Sequence, residues 1–298
     1  MKTFLSLNYG SSSLKYALFE ETRPILRASY QCRGVEELER ALEPLKKELH
    51  MEPDAVAHRV VHGMEHRSPM LIEGGGLELL EELARINPLH NALALRGIKK
   101  SLTLFPNSKH YALFDTDFHR SIPPHARVYG LDYRLYEEGI KRYGFHGLSY
   151  SYLLRKAKEI LKKERPNLIM MHLGQGCSIC AVKEGLSLET SMGFSPLEGL
   201  MMVSRPGDLD SGIILELLNR GYSAEELKNI LYHRAGLGAI AGVYSFKELL
   251  LLRDRDRRAK LAFDAFIHRL LKYVGAYWFL LEGKVDALLF SGGIGKQP

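Results

Sequence analysis

The sequence has few cysteines, and they form no regular framework. Cys32, Cys177 and Cys180 are the only three in 298 residues, and an odd number without regular spacing argues against a secreted disulfide scaffold. The Cys177-x-x-Cys180 pair could serve zinc or redox chemistry, but a zinc site needs further ligands at chelating spacing. The pair falls in a segment with a strand pattern, where residues three apart point to opposite faces. We therefore favour two packed thiols over a metal or redox site.

The chain also lacks the long uncharged apolar stretch that a membrane-spanning helix requires. Residues 1–8 are apolar over only a short distance and carry no signal-peptide cleavage pattern. We therefore predict a cytoplasmic protein without a membrane partner. The composition is 46% hydrophobic and 26% charged, which is typical of a globular protein, and the length favours two domains over one.

A basic patch interleaved with aromatic residues, as single-strand-binding proteins use, is also missing. The formal net charge is +6, and the densest basic stretch, residues 155–165, has a helical period that places its charges on a solvated face. A nucleic-acid partner would therefore rest on net charge alone, and we predict none. The charge is equally compatible with an anionic small substrate or with no specific partner.

Two hairpins with small-residue turns lie half a chain apart. The strands 4–7 and 14–19 flank the turn 8–13, and the strands 169–173 and 179–182 flank the turn 174–178. Gly10 and Ser12 of the first turn correspond to Gly176 and Ser178 of the second at the same offset. This repetition indicates duplicated lobes.

Strand and helix patterns alternate between and after the hairpins, which indicates an α/β protein. Further strands are predicted at 55–57, 112–114 and 285–290. Helices are predicted at 36–49, 77–86, 92–104, 210–219, from the capping box Ser223–Glu226 onward, and at 257–281. We place a boundary near Gly147, which gives lobes 1–147 and 148–298.

Three glycine- and serine-rich turns follow apolar strands, at 8–13, 174–178 and 291–295. Such turns let backbone amides approach phosphate oxygens without a Cβ in the way. None matches the P-loop or dinucleotide-binding pattern. The three together, with Lys15 just after the first, favour a nucleotide-phosphate site.

Polar residues recur in segments that are otherwise apolar. The segments are 58–63, 88–91, 114–119, 143–147 and 172–174, and each holds a His or an Asp at a predicted strand end or turn. One such histidine is usually structural, whereas five such segments indicate a shared cleft. Arg59 and Arg205 can each bind carboxylate or phosphate oxygens in a bidentate manner.

A family resemblance rests on an ordered series of segments: 8–15 (Asn-Tyr-Gly-Ser-Ser-Ser-Leu-Lys), 142–147 (Arg-Tyr-Gly-Phe-His-Gly), 172–174, 190–200 and 205–208. In this order they resemble the signature segments of acetate kinases, and the likeness extends from residue 3 to residue 295. The resemblance implies an α/β, two-lobed ribonuclease H-like fold with duplicated domains, that of the acetate and sugar kinase/Hsp70/actin group. It also implies ATP as co-substrate, Mg²⁺ as cofactor and a homodimer.

The same resemblance implies four sets of site residues. The catalytic set is Asp115, Arg59, Arg205, His146 and His172. The acyl-substrate set is Arg59, Val61, Leu89, His90, Phe145 and Pro196. The nucleotide set is Lys15, Ser11, Ser13, His172, Gly174, Gly176, Gly292, Gly293 and Gly295. The metal ligand is Asn8.

The implied reaction is ATP + acetate to ADP + acetyl phosphate, in either direction. Phosphoryl transfer depends mostly on positioning and charge neutralisation, and a carboxylate is already ionised at pH 7. Asp115 is therefore expected to orient groups or metal rather than to remove a proton.

The chain departs from the family at several positions. Gln175 stands where the family has Asn, residues 244–248 replace its adenine-side segment, and Lys296 and Gln297 follow Gly295 where it has Glu-Asn. The family's C-terminal tail is expected to be absent. Two alternatives therefore stay open, a propionate or butyrate kinase and a non-catalytic protein that binds nucleotide or acyl phosphate.

Overall fold

The computed structural model describes residues 1–10, 13–32 and 34–295, without the side chains of residue 35 and residues 88–90. The chain divides into two compact units, Met1–Asp117 and Phe118–Pro298. The boundary expected near Gly147 thus falls inside the second unit. The reason is visible at His119, whose ring nitrogens lie 2.9 Å from the Ser187 hydroxyl and 2.9 Å from the Phe145 carbonyl, so that the segment before Gly147 packs with the residues after it.

The first unit contains one sheet and the helices that cover it. Its elements are β1 (Thr3–Tyr9), β2 (Ser13–Glu20), β3 (Arg23–Gln31), α1 (Val35–Leu42), α2 (Leu45–Leu49), β4 (Ala55–Val60), β5 (Met70–Leu71), α3 (Gly76–Ile86), α4 (Pro88–Leu104) and β6 (Lys109–Phe114). The strand order is β3-β2-β1-β4-β6-β5. β4 lies between β1 and β6 and is parallel to both. β2 is antiparallel to β1, and β3 is antiparallel to β2. The carboxyl ends of β1, β4 and β6 therefore meet at one edge of the sheet.

Alternation of side chains places the core of this unit. In β1, Leu5 and Leu7 point inward and are at most 1% exposed, while Ser6 between them faces outward. Leu38 and Leu42 of α1 join them. Burial of each such leucine stabilises the fold by about 1.5–3 kcal/mol.

The helix predicted over 36–49 is two helices in the structure. α1 ends at Leu42 and α2 begins at Leu45, with Pro44 between them. Proline has no N–H to donate and clashes with the preceding turn, so that a helix entering this position ends there. The prediction of one helix was wrong because it followed the apolar period and gave Pro44 too little weight.

The second unit repeats the plan of the first. Its elements are a 3₁₀ turn (Asp117–Ser121, which starts at the last residue of the first unit), α5 (Pro124–Arg127), α6 (Tyr133–Glu137), α7 (Gly147–Leu161), β7 (Leu168–Leu173), β8 (Cys177–Lys183), β9 (Leu186–Thr190), α8 (Ser211–Asn219), α9 (Ala224–His233), α10 (Gly236–Ala241), α11 (Phe246–Leu252), α12 (Arg257–Leu280), β10 (Ala287–Ser291) and α13 (Gly292–Gly295). The sheet order is β10-β7-β8-β9. The pairs β7–β8 and β8–β9 are antiparallel, as are the corresponding pairs β1–β2 and β2–β3. The pair β7–β10 is parallel, as is the corresponding pair β1–β4. The predicted duplication and α/β class are thereby confirmed.

The three cysteines are free and buried. Cys177 and Cys180 lie on β8, and burial raises the pKa of each thiol to about 12. Cys177 donates to the Gly174 carbonyl at 3.3 Å, and Cys180 lies 3.4 Å from the Ser187 hydroxyl. Such thiols are packed and protonated near neutral pH, in agreement with the sequence interpretation.

No single helix in the described ranges has both the length and the apolar composition to cross a membrane. One bent pair, Ala224–His233 with Gly236–Leu252, meets the two criteria jointly, with a 90° bend at its break.

Candidate active site

Three predicted residues converge at the carboxyl ends of the parallel strands of the first unit. Asn8 lies near the end of β1, Arg59 near the end of β4, and Asp115 directly after β6. Arg59 donates from Nε to both Asp115 oxygens at 3.1 and 3.2 Å and from Nη2 to Oδ2 at 2.6 Å. Its Nη1 donates to Asn8 Oδ1 at 3.1 Å. The guanidinium plane is therefore fixed by one partner on β1 and one directly after β6, the two strands that flank β4.

The charges of this group differ in exposure. The Asp115 side chain is 1% exposed, whereas that of Arg59 is 28% exposed. The Asp115 carboxylate raises the pKa of Arg59, against the effect of burial. The carboxylate is thus covered by the guanidinium, and the guanidinium keeps one accessible side for a ligand.

The first hairpin presents Lys15 beside this group. Lys15 is the cross-strand partner of Asn8 in the β1–β2 ladder, and its side chain is exposed. Residues directly opposite in an antiparallel pair share a face, so Lys15, Asn8 and Arg59 lie on one face of the sheet. The turn is closed by Gly10 N, which donates to the Ser13 carbonyl at 2.8 Å. Ser11 lies outside the described residues.

Only some residues of the predicted acyl pocket have side chains in the described part of the chain. Val61 directly follows β4 and is half-buried. Leu89 and His90 belong to the first turn of α4, and their side chains lie outside the described part of the chain. Asn91, which the site prediction did not include, exchanges hydrogen bonds of 3.0 and 2.7 Å with the backbone of His62 and so fixes the start of α4 against the segment after β4.

A buried hydrogen-bonded chain supports the other face of the same strands. Tyr9 Oη lies 2.9 Å from His58 Nδ1, His58 Nε2 lies 2.9 Å from His110 Nδ1, and His110 Nε2 lies 2.9 Å from the Phe105 carbonyl. Because a carbonyl only accepts, His110 carries its proton on Nε2, and the chain runs from the Tyr9 hydroxyl through both neutral rings to Phe105. Burial lowers the pKa of His58 well below its usual range and lowers that of His110.

The hydrogen-bonded chain of Tyr9, His58 and His110 predicts that the protein loses stability in acid. In the unfolded state both histidines bind protons below about pH 6.5, whereas in the folded state they stay neutral to lower pH. The free energy of unfolding should therefore fall as pH drops from 6.5 toward the lower folded-state pKa values, by about 1.4 kcal/mol per pH unit for each histidine. Urea denaturation between pH 5 and 7.5 measures this slope. Replacement of the exposed His233 by Gln should change the slope little, and a free energy of unfolding that is constant over this range would contradict the prediction.

The second unit gathers His146, His172 and Arg205 at the turn after β7. A Cβ placed on Gly176 would lie 3.5 Å from both Arg205 Nη1 and His146 Nε2, and one on Gly174 would lie 3.7 Å from His172 Nε2. The two imidazole rings are 4.2 Å apart between centroids. One guanidinium nitrogen and two imidazole nitrogens thus point at the same glycine-rich turn, which is the arrangement that an anion requires.

The histidines are held through their Nδ1 atoms. His146 Nδ1 lies 2.8 Å from Ser178 Oγ, and His172 Nδ1 lies 2.9 Å from Ser149 Oγ and 3.2 Å from Ser291 Oγ. His146 has a left-handed backbone, φ 62°, at the position that precedes α7. A left-handed backbone is uncommon for a residue other than glycine.

Arg205 is partly buried and has no carboxylate partner among the described residues. Its Nη1 donates to the Pro196 carbonyl at 3.3 Å and contacts Met202 Sδ at 3.9 Å, and within the described ranges no acidic side chain forms an ion pair with it. Burial lowers the pKa of the guanidinium from its usual value. A partly desolvated cation whose partners are a carbonyl and a thioether can bind an incoming anion strongly.

Arg142 fixes the loop that carries Pro196. It donates from Nη1 to the Thr190 carbonyl at 2.9 Å and from Nη2 to Glu198 Oε1 at 2.6 Å. Tyr129 donates to the other Glu198 oxygen at 2.5 Å. Arg142 lies in a motif of the sequence, but its role could not be predicted there because its partners are about fifty residues away along the chain.

The third glycine turn lies at the end of β10, beside the end of β7. Gly292 has φ 82°, and a Cβ there would overlap the Leu173 carbonyl, so only glycine fits. Gly293 and Gly295 follow in the short helix α13. Phe145 and Pro196 of the predicted acyl pocket are both buried in this unit.

The described residues contain no group of three or more His, Cys, Asp or Glu side chains placed to hold a metal ion. Asn8 Oδ1 accepts one hydrogen bond from Arg59, and an amide oxygen has a second lone pair.

The predicted site residues that the structure describes are divided between the two units. The first unit contains Asn8, Ser13, Lys15, Arg59, Val61 and Asp115. The second contains Phe145, His146, His172, Gly174, Gly176, Pro196, Arg205, Gly292, Gly293 and Gly295.

Comparisons with known proteins give one consistent family. The model of the acetokinase family matches residues 27–298. An acetate kinase of Campylobacter concisus is 38% identical to this chain over 98% of this chain and 82% of its own length. The crystal structure of a propionate kinase from Francisella tularensis has a TM-score of 0.91 and 34% identity, covering 100% of this chain and 85% of that one. The crystal structure of Porphyromonas gingivalis acetate kinase has a TM-score of 0.87 and 32% identity, with coverage of 100% and 84%.

Proposed function

Because the chain belongs to the acetokinase family, we propose that it transfers the γ-phosphoryl group of ATP to acetate, forming acetyl phosphate and ADP in a reversible reaction. The chain is an ATP-dependent phosphotransferase of the acetate kinase type, whose acceptor is a carboxyl group. The observation that carries the choice of residues is the convergence of Arg205 and two imidazoles on the Gly174–Gly176 turn. A phosphoryl group in transfer carries its charge on oxygens that such donors can neutralise.

The acceptor carboxylate needs a cation and no base. Its oxygen attacks the γ-phosphorus while the bond from that phosphorus to the leaving ADP oxygen breaks, and no proton moves because acetate is ionised at neutral pH. In this proposal Arg59 binds the carboxylate through its accessible side. Asp115 and Asn8 act on the substrate through Arg59, since both accept hydrogen bonds from it. Val61, Leu89, His90, Phe145 and Pro196 remain the proposed surroundings of the acyl group.

The phosphoryl group is assigned to the second unit. Arg205 supplies the positive charge, while His146 and His172 supply hydrogen bonds from their Nε2 atoms. Donors fixed in advance by the protein need no reorganisation when charge develops, and one such donor contributes about 10²–10³-fold to the rate. Gly174, Gly176 and the turn Gly292–Gly295 allow the nucleotide phosphates to approach the backbone.

Magnesium is proposed to enter with the nucleotide. Mg²⁺ keeps several waters and binds few protein ligands together with substrate phosphates, which agrees with a site where Asn8 offers one oxygen lone pair. When bound, the ion would neutralise phosphate charge. The resemblance also leads us to propose a homodimer.

The test of this function is chemical trapping. We expect the purified chain with MgATP and acetate to form acetyl hydroxamate when hydroxylamine is present, and we expect Asp115→Asn to lower the rate by about two orders of magnitude, as loss of one preorganised electrostatic group does. Asp254→Asn, at an exposed position, serves as the matched control. Propionate assayed in parallel decides the acid preference, since one methylene in an apolar pocket changes selectivity by about 1–3 kcal/mol. A folded protein that binds ATP and yields no acyl hydroxamate from either acid would reject the proposal in favour of the non-catalytic alternative.

A further inference from the structure

Two buried hydroxyl groups connect helix α7 to the ring of His146. Tyr150 lies one turn after His146 on α7, and its Oη is 2.5 Å from Ser178 Oγ. Ser178 lies on β8, and its Oγ is 2.8 Å from His146 Nδ1. Tyr150 and Ser178 are both 0% exposed. The three side chains form a continuous hydrogen-bonded line from the core to the glycine turn.

The phenol sets the direction of this line. Burial raises the pKa of Tyr150 well above its usual value, so the oxygen keeps its proton. Within the described ranges, Ser178 Oγ is the side-chain acceptor within reach of that O–H. A buried O–H that donates to nothing costs about 1–3 kcal/mol, so Tyr150 donates to Ser178. The single Ser178 hydrogen is then directed at His146 Nδ1, which accepts it.

A neutral imidazole that accepts at Nδ1 carries its hydrogen on Nε2. His146 Nε2 is the atom that faces the Gly176 turn together with Arg205 Nη1. We propose that Tyr150 and Ser178 are positioning residues, whose hydroxyl relay holds His146 as the Nε2–H tautomer and so presents a hydrogen-bond donor to the phosphoryl group. This inference rests on the proposed function for the identity of the acceptor, and on the geometry of the second unit alone for the tautomer.

His172 provides an internal comparison. Its Nδ1 faces two hydroxyls, Ser149 and Ser291, which also lie 3.1 Å from each other. Neither is bonded to a buried phenol in the structure described, so the direction of donation is not imposed there. The relay therefore predicts that substitutions at Tyr150 change the tautomer of His146 and leave His172 as it was.

The experiment reads the tautomer directly. The full chain with ¹⁵N-labelled histidine is studied by long-range ¹H–¹⁵N correlation NMR at pH 8, where His146 is assigned with a His146→Gln variant. We expect the wild-type His146 to show the Nε2–H pattern. Tyr150→Phe, which keeps the ring and removes only the hydroxyl, should give a mixture of tautomers and lower kcat about tenfold, with the KM for ATP within twofold of wild type. Tyr152→Phe, on an exposed tyrosine of the same helix, should change neither.

Ser178 supplies the second variant. Ser178→Ala removes the hydroxyl beside His146 Nδ1, so His146 should lose its preference for the Nε2–H tautomer. Ser178→Thr, which restores a hydroxyl, should recover the Nε2–H pattern and most of kcat. An Nδ1–H pattern in the wild type, or a His146 tautomer unchanged in both Tyr150→Phe and Ser178→Ala, would overturn the relay. An inactive wild type that shows the Nε2–H pattern, lost in Tyr150→Phe, would support the relay and count against the proposed reaction.

Discussion

Replacing Arg205 by methionine is expected to lower kcat about a thousandfold and to leave the protein at least as stable as the wild type. The loss follows from the guanidinium's proposed place on the transferring phosphoryl group, where an arginine contributes about 10³–10⁵-fold. The stability follows from its surroundings, since the partly buried cation contacts the Pro196 carbonyl and the Met202 thioether and has no ion pair within the described residues. Removing a charge that burial disfavours relieves a desolvation cost.

Calorimetric unfolding and hydroxamate assays measure both parts of this expectation. Inorganic phosphate should raise the melting temperature of the wild type, by linkage to binding, and should do so much less in Arg205→Met. Arg220→Met, at an exposed helix end, is the matched control. Near-normal turnover in Arg205→Met would reject the assignment, and a loss of several kcal/mol of stability would show that Arg205 is structural.

Replacing Arg59 by alanine is expected to have the opposite effect on stability and a similar effect on turnover. Asp115 is 1% exposed, and Arg59 supplies three of its hydrogen bonds. Breaking a buried ion pair by removing one partner costs about 3–5 kcal/mol, because the other charge stays buried. Turnover should fall by orders of magnitude, since the proposed carboxylate ligand is lost.

A double variant separates the two roles of Arg59. Arg59→Ala/Asp115→Ala removes both charges, so it should recover much of the lost stability in urea denaturation while staying inactive. Arg59→Lys keeps the charge and loses the bidentate geometry, and should retain more stability than activity. Full turnover in the double variant would remove both residues from the mechanism, and equal instability of the single and double variants would show that the ion pair is not what stabilises this edge.

The sequence predicted the elements where the information was local, whereas the site residues were predicted from the family resemblance. Both hairpins were found because their alternating strands and glycine turns are close together in the sequence. Arg59 and Asp115 were assigned through the family resemblance. The structure brings them together because Arg59 lies near the end of β4 and Asp115 directly after the parallel neighbour β6.

What sequence reasoning missed depends on partners distant in the chain. His58 was noted only as one of several histidines, because nothing near it indicates that His110 and Tyr9 complete its hydrogen bonds. The clamp of Arg142 on residues 190–198 and the relay from Tyr150 to Ser178 are invisible for the same reason. β3 was missed because most of its residues are exposed, and β9 because its buried residues, Ser187 and Thr190, are polar.

The three buried cysteines can report local opening of the structure, because a reagent reaches their thiols only after such opening. Cys32 lies in the first unit, whereas Cys177 and Cys180 lie in the second, and all three are buried. Alkylation requires a thiolate that the reagent can reach. Burial keeps the reagent from all three sulfur atoms, and it also raises the pKa of Cys177 and Cys180. Modification of Cys177 or Cys180 therefore proceeds only from states in which β8 has opened, and modification of Cys32 only from states in which the segment after β3 has opened. The order in which the cysteines are labelled would show which unit opens first under native conditions.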